Sequence, residues 1–109
     1  MEKTDLIREL QLLPEQIKCA ELNYLNALNM LAELKHFLVD SESKVIRDGK
    51  VNMKNEQTRA ADIWPFTKEI HQKILKADAE ADRLKAEFHY LRRKLESMQL
   101  LVKLMPLPE

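Results

Sequence analysis

From Ile70 to Met105 the apolar residues of this chain fall at Ile70, Ile74, Ala77, Ala81, Leu84, Phe88, Leu91, Leu95, Met98, Val102 and Met105. Steps of four and three alternate throughout. A repeat averaging 3.5 residues keeps its stripe on one side of a slightly under-wound helix, so it demands a partner helix along its whole length. No other feature of the 109 residues restricts the fold as strongly.

The partner lies upstream. From Pro14 a second seam reads Ile17, Ala20, Tyr24, Ala27, Leu31, Leu34, Leu38, Ser41 and Val45, continuing the phase of Leu10 and Leu13. A further apolar row at Leu25, Leu28, Ala32 and Val39 flanks it, so the stripe is wider than a two-stranded contact covers and calls for a third surface. Between the seams stands Gly49, the one glycine of the chain, suited to the left-handed conformation that ends helices. So few turn residues leave no room for a multi-strand sheet, and the class is all-α: a long antiparallel helical hairpin of coiled-coil type.

Local signals divide this single domain, 1–109, further. Thr4 or Asp5 can cap a short helix over 4–13 that carries Leu6, Ile7, Leu10 and Leu13. Pro14 then calls for a kink or a fresh start, giving a long helix over 14–48. Asn52 or Asn55 can cap the next helix, expected over 53–105 with a kink at Pro65, and Pro106 and Pro108 leave 106–109 as a frayed tail. Setting Leu38 opposite Ile70 places Ile17 near Leu91 and Leu13 near Leu95, with Glu15 and Glu21 beside Arg92, Arg93 and Lys94. A lone two-helix rod buries too little surface for a domain of this size, so the hairpin is expected to be a homo-oligomer. Leu100, Leu101, Leu104 and Met105, beside Leu6, Ile7 and Leu10, form the expected contact and assemble hairpins into a helical bundle.

Basic and acidic residues balance at 18 each, which removes any global pull towards nucleic acid or membrane. The balance is local in origin: the first 43 residues hold four basic against eight acidic groups, whereas Lys44 to Arg59 holds five against two. Cys19 alone cannot close an intrachain disulfide, Met1-Glu2-Lys3-Thr4-Asp5 does not lead into a signal-peptide core, and no apolar run approaches the ~20 residues of a membrane span. The chain thus reads as a cytoplasmic protein with no membrane and no small-molecule substrate.

Catalytic and metal chemistry find little footing. In the expected register His36 falls near His71 and Cys19 near His89, two ligands each where a structural zinc needs four. Asp78, Glu80 and Asp82 alternate with alanines in the manner of a solvated helix flank, and paired acid–base work needs a walled pocket. Gly49 stands alone and cradles no phosphate. The expectation is no enzyme, no catalytic residue, no metal and no cofactor. The basic middle is the constellation with reach: Lys44, Arg47, Lys50, Lys54 and Arg59, with Lys68, are accompanied by Trp64 and Phe66. Cations that track phosphates and aromatics that stack bases are the ingredients of single-strand binding; the plainer reading is a solvated turn with Trp64 packed inside the hairpin.

Asp48-Gly49-Lys50, then Asn55-Glu56-Gln57-Thr58-Arg59-Ala60-Ala61, and a heptad helix with Leu84-Lys85-Ala86-Glu87-Phe88 and Leu91-Arg92 resemble a group of small phage and prophage proteins. That group includes recombination mediators of the UvsY type, which load a recombinase onto single-stranded DNA and assemble as rings of helical hairpins. The resemblance implies that Lys50, Lys54 and Arg59 face DNA and that a recombinase is a partner. The competing expectation is a structural or scaffolding coiled coil with protein partners only.

Overall fold

A computed structural model describes residues 2–51 and 55–106, and their regular structure is wholly helical. Helix α1 spans Lys3–Arg47 and α2 spans Glu56–Leu104, an all-α helical hairpin. Every seam position from Leu10 to Val45 on α1, and from Ile70 to Val102 on α2 with Met105 just beyond it, is buried or half-buried. The 3.5-residue repeat has therefore done what its spacing requires, turning both stripes inward.

Both helices run through two compact units, one of Met1–Asn26 with Asp82–Glu109 and one of Ala27–Ala81. In the first, Leu6, Leu13 and Met98 form a buried cluster, with Leu10, Ile17, Leu91, Leu95, Val102 and Met105 packed against it. These are the residues that the expected register brings together. The Tyr24 and Phe88 rings meet in the same unit at 6.5 Å between centroids. In the second unit Leu31, Val45, Ile70 and Ala81 are buried, and so is Thr67. Stepping the repeat back from Ile70 lands on Thr67 and half-buried Ile63, so the α2 seam begins earlier than its apolar letters suggest. The buried hydroxyl of Thr67 donates to the Ile63 carbonyl at 3.3 Å, which spares it the cost of an unpaired polar group.

Both prolines lie inside helices. The short helix over 4–13 and the fresh start at Pro14 are thus corrected to one 45-residue helix, and α2 runs for 49 residues through Pro65. An internal proline costs about 3 kcal/mol, but breaking α1 at Pro14 would strip Leu13, 1% exposed, and its neighbours of their partners. Pro14 and Pro65 both sit on exposed faces, where each lost N–H interrupts the ladder without disturbing the seam.

The ends follow local chemistry. Helix α1 begins one residue after Glu2, whose carbonyl accepts from Asp5 and Leu6, so Thr4 and Asp5 occupy the first turn instead of capping it. There Asp5 still meets the positive end of the helix dipole. At the other end Gly49 has φ 71°, the Gly49 N–H donates to Ile46 and the Lys50 N–H to Val45, a Schellman closure that only a left-handed residue permits without strain. Asn55 caps α2, its Oδ1 accepting from the Thr58 N–H at 2.7 Å. The alternative cap Asn52 and residues 107–109 of the tail lie outside the described residues.

Candidate functional site

The basic middle expected to form the hairpin tip, 44–59, belongs to the Ala27–Ala81 unit. Lys44, Arg47 and Lys50 are exposed and Arg59 is half-buried, while Lys54 lies outside the described residues. The Schellman turn sends the chain out of α1 at Lys50, and the Asn55 cap starts α2 four residues before Arg59. Two of the cations have partners of their own. Lys50 Nζ stands 5.2 Å above the Phe66 ring, and Arg59 Nη2 lies 3.6 Å from Glu56 Oε1. Both arrangements are solvated and worth no more than about 1 kcal/mol, so they orient the side chains without sequestering them.

Trp64 is 49% exposed, which places it outside the hairpin interior and corrects the reading that packs it within. One side is occupied by His71, whose ring lies 5.3 Å away and nearly parallel. The two residues are seven apart, one heptad along a single face of α2. An open groove of about 430 Å³ runs past this pair, lined also by Arg59, Glu42 and Glu56. Its charge is therefore mixed: two carboxylates share the space with the guanidinium.

The expected oligomer contact separates into two groups. Leu6 is buried in the hairpin's own core, and Leu10 and Met105 pack against that core, so intramolecular packing takes their surface. Ile7, Leu100, Leu101 and Leu104 remain exposed, Leu104 at 74%. An apolar groove of about 500 Å³ opens beside them, bounded by Leu6, Met98, Leu101 and Met105 and flanked by Glu9 and Lys94.

The remaining candidates fall on solvated or aromatic surroundings. Cys19 and His36 are exposed, His89 stacks on Phe88 at 5.5 Å, and Asp78, Glu80 and Asp82 are all exposed. Among the described residues no group of three or more His, Cys, Asp or Glu is placed to hold a metal ion. Arg92 sits with its guanidinium 5.6 Å from the Phe88 ring one turn back, along its own helix and not across to Glu15 or Glu21. The ring quadrupole of Phe88 attracts the guanidinium, a contact worth about 0.5–1 kcal/mol at an exposed site.

Fold and surfaces together define the class, an all-α helical hairpin with exposed aromatic and basic residues about its turn and with Leu100, Leu101 and Leu104 exposed late in α2. No family model, curated protein or solved structure matches the chain. No described helix is long and apolar enough to cross a membrane.

Proposed function

We propose that this hairpin is a non-enzymatic assembly module of the cytoplasm that self-associates and presents its tip to a partner. The observation that carries the reading is the exposure of Leu100, Leu101 and Leu104 beside an apolar groove. Leucines in solvent at neighbouring positions are costly to leave uncovered, at roughly 25 cal/mol per Å² of apolar surface, and mark a contact. Replacing Leu101 and Leu104 by lysine leaves the hairpin core intact and should reduce the particle mass measured by light scattering. A parent chain that is monomeric at micromolar concentration would sink the proposal.

A second reading is favoured by one specific observation, the half-exposed Trp64 near Arg59 and on the same unit as Lys50, Lys44 and Arg47. In it the tip contacts single-stranded nucleic acid, cations on phosphates and the indole on a base, the role that the resemblance to recombination mediators implies. The carboxylates of Glu42 and Glu56 in the same groove favour the scaffold reading.

A further inference from the structure

The row that flanks the α1 seam can be followed within the Ala27–Ala81 unit as Leu28, Ala32, Lys35, Val39, Glu42 and Ile46, each one residue beyond a seam position. Steps of four and three alternate here too, so the row is a second heptad stripe turned about a quarter of the helix away from the first. Most of it faces outwards: Leu28 is 37% exposed, Val39 58% and Ile46 36%, and Ala32 and Lys35 are exposed, while Glu42 is half-buried where the stripe borders the Trp64 groove. Helix α2 occupies the first stripe and leaves this one without a partner.

We infer that this second stripe seats the same stripe of another copy of the chain, with the two α1 helices antiparallel. The inference rests on the self-association proposed above and names a surface for it that is separate from Leu100, Leu101 and Leu104.

Charge selects both the occupant and the direction. Two positions of the stripe are ionic, Lys35 and Glu42, of opposite sign and one heptad apart. In a parallel, in-register pair, lysine would meet lysine and glutamate would meet glutamate. A parallel pair shifted by one heptad would match them once, but a shifted contact does not close and grows as an open chain. The antiparallel pair resolves this. Heptad layers then set Leu28 against the partner's Ile46, Ala32 against the partner's Glu42 and Lys35 against the partner's Val39, each twice by symmetry. Lys35 and the partner's Glu42 are then one layer apart, about 4.5 Å along the axis, within reach of both long side chains. Lys35 also lies one layer, about 6 Å along the axis, from the partner's Lys35, but the two closer Lys35–Glu42 contacts outnumber that one repulsion, so a two-fold axis closes the pair with net charge complementarity. Under the two-fold axis the chain's own Lys35 and Glu42 supply both members of each ionic contact, so a second copy completes the surface with no other sequence needed.

The test uses the full chain and three charge variants, Lys35→Glu, Glu42→Lys and the double exchange, with circular dichroism to confirm that each is helical. Sedimentation equilibrium at low salt should show either single variant dissociating about five- to tenfold more readily, because each places like charges across the contact twice. The double exchange should return association to the parent value. A cross-linking arm mixes Lys35→Cys with Val39→Cys, both in a Cys19→Ser background. Disulfides joining position 35 to position 39 support the antiparallel register, whereas 39-to-39 linkage alone overturns it. Single variants that associate as the parent does, or a double exchange that fails to restore, also overturn the inference. If the lysine substitutions at Leu101 and Leu104 disperse the particle while the charge variants leave it unchanged, self-association stands and this surface is wrong.

Discussion

The Tyr24 ring on α1 lies 6.5 Å from the Phe88 ring on α2, tilted by 33°, and both belong to the Met1–Asn26 and Asp82–Glu109 unit. Aromatic pairs at this separation contribute beyond their buried area. A double-mutant cycle with Tyr24→Leu and Phe88→Leu in urea melts should give a coupling of about 0.5–1.5 kcal/mol. A register displaced by one heptad would separate the rings and reduce the coupling to nothing.

Neighbouring leucines give a second expectation. Leu13 is 1% exposed and Leu12, one residue away, is 56% exposed. Leu13→Ala should cost about 2–5 kcal/mol as a core truncation, and Leu12→Ala should stay within about 0.5 kcal/mol. Equal losses in chemical denaturation would show that the seam faces elsewhere.

Pro14 sits on an exposed face inside α1. Its replacement by alanine restores a backbone N–H and removes a ring clash, a gain of up to about 3 kcal/mol, from which the greater freedom of the unfolded chain takes back about 1. Pro14→Ala should therefore raise stability by roughly 1–2 kcal/mol. A lower melting temperature in calorimetry would mean that the proline serves the seam in a way its exposed position does not account for.

For the tip, a variant with Lys50, Lys54 and Arg59 all changed to alanine separates the two functional readings. If these groups neutralise phosphates, the slope of log affinity against log salt for a labelled single strand falls by about two units, near 0.7 for each contact. Stacking of a base on Trp64 should also quench its emission in the parent chain. Absence of single-strand binding at about 50 mM salt, where electrostatic contacts are strong, leaves the scaffold reading alone.

The seams were legible because burial is a property of spacing, and spacing survives into the folded chain at every position from Leu10 to Val45 and from Ile70 to Met105. Pro65 inside a continuous helix was legible, but the fresh start expected at Pro14 was not, because the propensity of one proline acts on one turn whereas a break would disrupt the whole seam. Thr67 was missed because its letter is polar, although the heptad phase lands on it and a bond to the Ile63 carbonyl makes its burial tolerable. At the tip the basic residues could be counted, but their company could not. The contact of Lys50 with Phe66 crosses the turn, and only the seven-residue spacing of Trp64 and His71 hinted at their stacking.

The closure at Gly49 bears on how the chain folds in time. Partners nearest the turn are separated by few residues, whereas Leu6 and Met98 in the same buried cluster lie almost a chain length apart. Loop-closure entropy makes the near contacts the fastest to form, so the hairpin should zip from Val45 and Thr67 outward and complete the Leu6, Leu13 and Met98 cluster last. Pulse-labelled hydrogen exchange should then protect amides near residue 45 before those near residue 10. The exposed leucines near position 101 thus sit on the part of the molecule expected to acquire its shape last, so the association proposed there would select chains whose folding has finished.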